Sequence, residues 1–109
     1  MLILARDEVV AALLGLMVEL QGFTPRFLGP EETPEAALAG GGFASVLIDC
    51  DHPLWSEPLL RACREASAQP ILFSPFRMGA EVRNLAERYG LSSFTLPTDP
   101  DTFSKLLRV

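Results

Sequence analysis

Five short apolar runs, each followed by a helical pattern, make up these 109 residues, and that alternation limits the fold more than any other feature. Met1 to Ala5 reads as a strand, Asp7 to Gln21 as a helix closed by Gly22, and Phe23 to Leu28 as a weaker strand. Thr33 to Leu38 is a short helix with a Thr cap, Pro34 at its first position, and Gly40, Gly41 and Gly42 to end it. Phe43 to Ile48 is a continuous apolar strand, and Ser56 caps a helix reaching about Ala66, with Pro58 in its first turn. Ile71 to Phe73, the helix Met78 to Tyr89 stopped by Gly90, the strand Ser93 to Leu96 and the helix Asp101 to Arg108 complete the pattern. The third and fourth strands lack polar alternation, as expected of strands covered on both faces. Right-handed crossovers distribute the helices over both faces of one sheet. The expected fold is therefore α/β: a single doubly wound parallel sheet of five strands, order 2-1-3-4-5, forming one domain over residues 1–109.

Sites in such sheets form at the carboxyl ends of the strands, near the switch point between the first and third. The stretch VLIDCDHP occupies such an end: the apolar run stops at Asp49, a second acid follows at Asp51, and Pro53 closes it. Asp49 has two readings. It is a working chemical group, or it is the polar residue that ends a buried strand and caps the turn through Asp51 and Pro53.

An Asp ending the third strand, a Pro four residues on (Asp49, Pro53), a hydroxyl ending the fourth (Ser74, in PILFS) and a proline after the fifth (Leu96-Pro97, in FTLP) follow one another in order. This arrangement resembles the receiver domain of two-component response regulators, a flavodoxin-like fold, over the whole chain. The resemblance implies phosphoryl transfer from a histidine kinase to Asp49, with Ser74 as the hydroxyl. It also implies a Mg²⁺ ion held by first-strand acids and by the backbone carbonyl of the residue at Asp51. The departures are specific. The family's lysine falls on Leu96, and the one lysine of the chain, Lys105, lies in another helix. Counting back from Gly22 places Ala5 and Arg6, or with a one-residue deletion Arg6 and Asp7, at the acid pair, so Asp7 and Asp51 are what remains of the acid pocket. Pro75 stands where the family has a small residue. Ser93 stands at the aromatic switch position, with Phe94 one residue late and so on the other face of the strand.

Loss of one preorganised charge-stabilising donor lowers a rate by ~10²–10³. The expected function is therefore that of a degenerate receiver, or pseudo-receiver, signalling through protein contacts without Mg-dependent phosphorylation and without a cofactor. The alternative is a genuine phosphoacceptor of a phosphorelay using Asp49 and Mg²⁺. Arg6 as a fixed cation would give an anion pocket in place of the metal site.

Composition narrows the other classes. A net charge of -5 with scattered basic residues argues against nucleic acid. Two cysteines in no C-x-x-C pair, together with no signal-peptide pattern in MLILARDE, point to the cytoplasm. The uncharged run VVAALLGLMV is too short to span a bilayer. ARDEVV has no glycines for a nucleotide or flavin phosphate loop, and no triad or metal cluster can be assembled, so an enzyme is not expected. His52 has acids only beside it in a tight turn and is not read as a metal ligand; Cys50 is read as core, and Ser74 as either a turn residue or a site hydroxyl.

The first helix is unusual. Val9, Val10, Leu13, Leu14, Leu16, Met17 and Leu20 cover one broad face, which is expected to be the buried one. The opposite strip, Ala11, Gly15 and Val18, is then either a second buried face or an exposed surface for a protein partner or a homodimer.

Overall fold

The computed structural model describes residues 1–96 and 98–107. Pro97, from the Leu96-Pro97 pair, and Arg108 and Val109, at the end of the chain, lie outside the described residues. Ten elements alternate as expected: β1 (Leu2–Leu4), α1 (Glu8–Leu20), β2 (Arg26–Phe27), α2 (Pro34–Ala39), β3 (Ser45–Asp49), α3 (Glu57–Glu65), β4 (Gln69–Phe73), α4 (Gly79–Tyr89), β5 (Ser92–Ser93) and α5 (Pro100–Leu107). The sheet is parallel throughout in the order β2-β1-β3-β4-β5.

Local chemistry starts and stops the helices where the sequence says it should. Asp7, Thr33 and Ser56 each accept backbone N–H groups of the first turn of α1, α2 and α3, satisfying donors that have no partner within the helix. Gly90, at φ 69°, ends α4 in the left-handed conformation that glycine adopts without steric penalty. The edge strands are shorter than the sequence suggests. At β5 the ladder continues one bond past Ser93, Phe94 N–H donating to Leu72 C=O at 3.0 Å, before Phe94 turns into the core.

Side chains alternate across the central strands and divide the core in two. Leu2, Leu4, Val46, Ile48 and Leu72 pack with Leu38 of α2, Leu59, Leu60 and Cys63 of α3, and Val82 and Ala86 of α4. Ile3, Leu47, Ile71 and Phe73 face the other way, against Leu14 and Val18 of α1 and Phe103 and Leu107 of α5. Phe94 joins this second cluster, its ring stacked 5.3 Å from Phe73 and edge-on 5.4 Å from Phe103.

Helix α1 corrects the sequence reading of its faces. The residues turned into the core are Leu14, Gly15 and Val18, with Ala11 half-buried. The strip Ala11, Gly15 and Val18 is therefore an inner strip, and the outer surface carries Val9, Leu13, Leu16 and Leu20. The reason lies in β2. A Cβ at position 15 would stand 3.0 Å from Cζ of the Phe27 ring, so the small residue lets α1 lie close to the edge strand. With apolar residues all round, α1 docks by the face that fits.

Candidate functional site

Asp49 ends the central strand β3, between the carboxyl ends of β1 and β4, and is 1% exposed. A buried carboxylate needs hydrogen-bond donors to replace water. Its Oδ1 accepts the Asp51 N–H at 2.9 Å and its Oδ2 accepts the Arg6 N–H at 3.4 Å. The first bond is an Asx turn, which folds the chain away from the sheet. His52 continues the turn: its N–H donates to the Asp49 carbonyl at 3.0 Å, and its Nδ1 accepts the Leu54 N–H at 3.0 Å. Burial holds the His52 imidazole below its usual pKa, and the nearby Asp49 acts in the opposite sense.

The side chain of Asp51 is held by a residue that the sequence did not single out. Arg77, in the loop between β4 and α4, donates from Nε to both carboxylate oxygens at 3.0 and 3.1 Å and from Nη2 to Oδ1 at 2.7 Å. Planar guanidinium and carboxylate groups pair with high geometric specificity in this way. Ser74 builds the loop that delivers Arg77. Its buried Oγ accepts the Phe76 and Arg77 N–H groups at 3.3 and 3.1 Å and donates to Asp51 Oδ2 at 3.4 Å. Ser74 is thus both the turn residue and a member of the polar cluster. The hydrogen bonds from Arg77 hold the Asp51 carboxyl below the usual carboxylate range, with Ser74 and the charge of Arg6 adding to the effect against burial. Burial, and then Asp51 itself, pushes the adjoining Cys50 thiol up, which favours the thiol over the thiolate. The signal for Arg77 was present in SPFRM: a serine ending a strand caps the N–H groups two and three residues on, and so fixes the direction of the third.

Other expected site residues fall elsewhere. Asp7 is the α1 cap, its Oδ1 accepting the Val9 and Val10 N–H groups at 2.8 and 3.2 Å. Leu96 is half-buried against the α1 and α5 side of the core, while Lys105 lies exposed on α5. The larger hollow nearby, about 490 Å³, opens beside β1 and β2 and is lined by Ile3, Leu4, Ala5, Ala11, Phe27 and His52 among others; Asp49 is not among its lining residues.

Among the described residues, the side chains able to approach one cation are Asp49, Cys50 and Asp51, whose ligand atoms lie within 4.8 Å of one another. Mg²⁺ takes hard oxygen ligands in near-octahedral array; here the Cys50 thiol is a soft donor, the Asp51 carboxylate is paired with Arg77 and Asp7 caps its helix, so the oxygens left to such an ion are the Asp49 carboxylate and the Asp51 backbone carbonyl.

No protein-family model and no curated protein matches the chain in sequence. Solved structures do match in shape. The receiver domain of the sensor histidine kinase PA1611 from Pseudomonas aeruginosa PAO1, which has magnesium coordinated in its active-site cleft, aligns with a TM-score of 0.74 at 13% identity, covering 98% of this chain and 92% of that one. A sensor protein from Polaromonas sp. JS666 aligns at 0.68 and 24% identity, covering 97% and 90%. A CheY-like response regulator receiver domain protein from Methanospirillum hungatei JF-1 aligns at 0.67 and 18%, covering 95% and 86%. Strand order, the acid ending the third strand and these likenesses agree: the chain has the CheY-like receiver fold of response regulators.

Proposed function

We propose that this chain is a receiver-like signalling domain, spanning 1–109, that acts through protein contacts in the cytoplasm without Mg-dependent phosphorylation of Asp49. The observation that carries the reading is the Arg77 clamp. A guanidinium sits on the acid beside Asp49, so the charge a metal would supply is already there in fixed form. The protein-supplied ammonium is replaced by Leu96, an apolar side chain half-buried against the core. A phosphoaspartate adds close to two negative charges, and the Arg77 donors that could meet them already have an acceptor in Asp51. The domain has no assigned catalytic residue and no cofactor in this reading; its partner is a protein, such as a histidine kinase or another signalling protein, rather than nucleic acid or membrane. No helix among the described residues is long and apolar enough to cross a membrane.

The experiment is incubation with acetyl phosphate and Mg²⁺ followed by intact-mass spectrometry, with no mass gain expected. A gain of one phosphoryl group that disappears in Asp49→Asn would establish the alternative, a genuine phosphoacceptor. One observation favours that alternative: Asp49 lies buried at the end of the central strand with Asp51 and Cys50 ligand atoms beside it. In that case the P–N bond of a partner's phosphohistidine breaks as a P–O bond forms to the Asp49 carboxylate, and Arg77 must leave Asp51 to meet the transferred group.

A further inference from the structure

We infer that the hollow beside β1 and β2 binds a small arylalkyl ammonium ion, its ring against Phe27 and its charge at Glu8. The inference stands independently of whether Asp49 accepts a phosphoryl group. At about 490 Å³ the hollow has the size of a small-molecule site. It also lies where such sites arise in a doubly wound sheet, at the carboxyl ends of the strands by the β1–β3 switch point. Of its lining residues, Ala5 follows β1, Leu28 follows β2 and His52 follows β3. Small side chains keep it open: Ala5 at the end of β1, and Ala11 and Ala12 on α1. Phe27 supplies an aromatic wall. Gly15 leaves room for one edge of that ring against α1, yet Phe27 as a whole is still 44% exposed. A flat aromatic body gains from ring contact there in addition to the area it buries.

Charge selects the occupant. Two of the lining side chains are polar, Glu8 and His52. The Glu8 carboxylate has no hydrogen-bond or ion-pair partner among the described residues. His52 Nδ1 accepts the Leu54 N–H at 3.0 Å, so that nitrogen carries no proton and the ring is neutral, with its proton on Nε2. The lining therefore offers one anion and one N–H donor, and no cation. An ammonium group gains a charge-assisted hydrogen bond at Glu8. A carboxylate of the same shape meets a like charge there, and a neutral molecule leaves the charge of Glu8 unused. The free Glu8 carboxylate sets this hollow apart from the Asp51 cluster, whose carboxylate already holds a guanidinium.

The test is an NMR titration of the isotope-labelled full chain with phenethylamine, beside its anionic and neutral counterparts, hydrocinnamate and phenethyl alcohol. Phenethylamine is expected to shift the amide signals of Ala11, Ala12, Leu28 and His52 saturably, with a Kd of about 1 mM or below. Each counterpart is expected to bind about tenfold more weakly. Glu8→Gln, at an exposed position, is expected to erase that preference with unchanged circular dichroism. Ala12→Trp, also at an exposed position of α1, is expected to fill the hollow and abolish binding of all the probes; if it misfolds, Glu8→Gln decides alone. No saturable shift up to about 10 mM phenethylamine overturns the inference, as do shifts confined to other residues. Probes that bind alike in the wild type overturn the choice of a cation and leave an unselective apolar hollow. A preference that survives Glu8→Gln overturns the role of Glu8.

Discussion

The carboxyl end of the sheet and the outer face of α1 treat their side chains in opposite ways. At the sheet end the polar groups are matched internally: Asp49 to two backbone N–H groups, Asp51 to Arg77, Ser74 to its own loop. Among the described residues no buried side-chain nitrogen or oxygen is left without a partner. Along α1 four large apolar side chains meet solvent. A site whose donors and acceptors already bond one another has little free interaction energy for a ligand, whereas an exposed apolar seam holds it in reserve. The contrast leaves exposed apolar surface on the helix and internally matched polar groups at the sheet end.

The largest effect expected is on α1 itself. Gly15→Glu puts a charged, bulky side chain between α1 and Phe27 and is expected to lower stability by about 3 kcal/mol or more in urea unfolding. Its neighbour Leu16→Glu should stay within about 0.5 kcal/mol. Equal losses at the two positions would break the assignment of inner and outer faces.

Next in size is the release of Asp51. Arg77→Ala frees Asp51 Oδ1 and leaves Oδ2 with the Ser74 hydroxyl alone, and Mg²⁺ affinity is expected to rise about tenfold. The fluorescence of Trp55, in the same loop and packed edge-on 5.7 Å from Tyr89, reports it. A wild type that already gives a saturable Mg²⁺ response, lost in Asp49→Ala, would reverse the comparison by making the sheet end the open site.

The smallest effect is on pH dependence. Arg77 lowers the Asp51 pKa in the fold below its ordinary value, so this pairing stabilises the native state above that ordinary value. The contribution is lost as the pH falls through the lower folded pKa. Wild type and Arg77→Ala should therefore differ slightly in stability at pH 7 and converge in strong acid. A difference of the same size at both pH values would mean that Arg77 acts through packing, not through the carboxylate.

Much of this was legible before any coordinates. The five strand–helix units, the caps at Thr33 and Ser56 and the place of Asp49 are written in local patterns, because period, capping and breaker residues act within a few positions of one another, and the strand order followed as the common arrangement of five such units. The same locality hid Arg77. Its partner Asp51 is 26 residues away, and only the pairing of β3 with β4 brings their loops together. The faces of α1 were undetermined for a related reason. A helix apolar on every side has no preferred orientation of its own, and the Phe27 ring beside Gly15 chose one. Sequence by itself determined which segments would be strands and helices and where the acids would end. Tertiary structure decided which acid would be neutralised and which leucines would face water, because both outcomes depend on contacts between segments far apart in the chain.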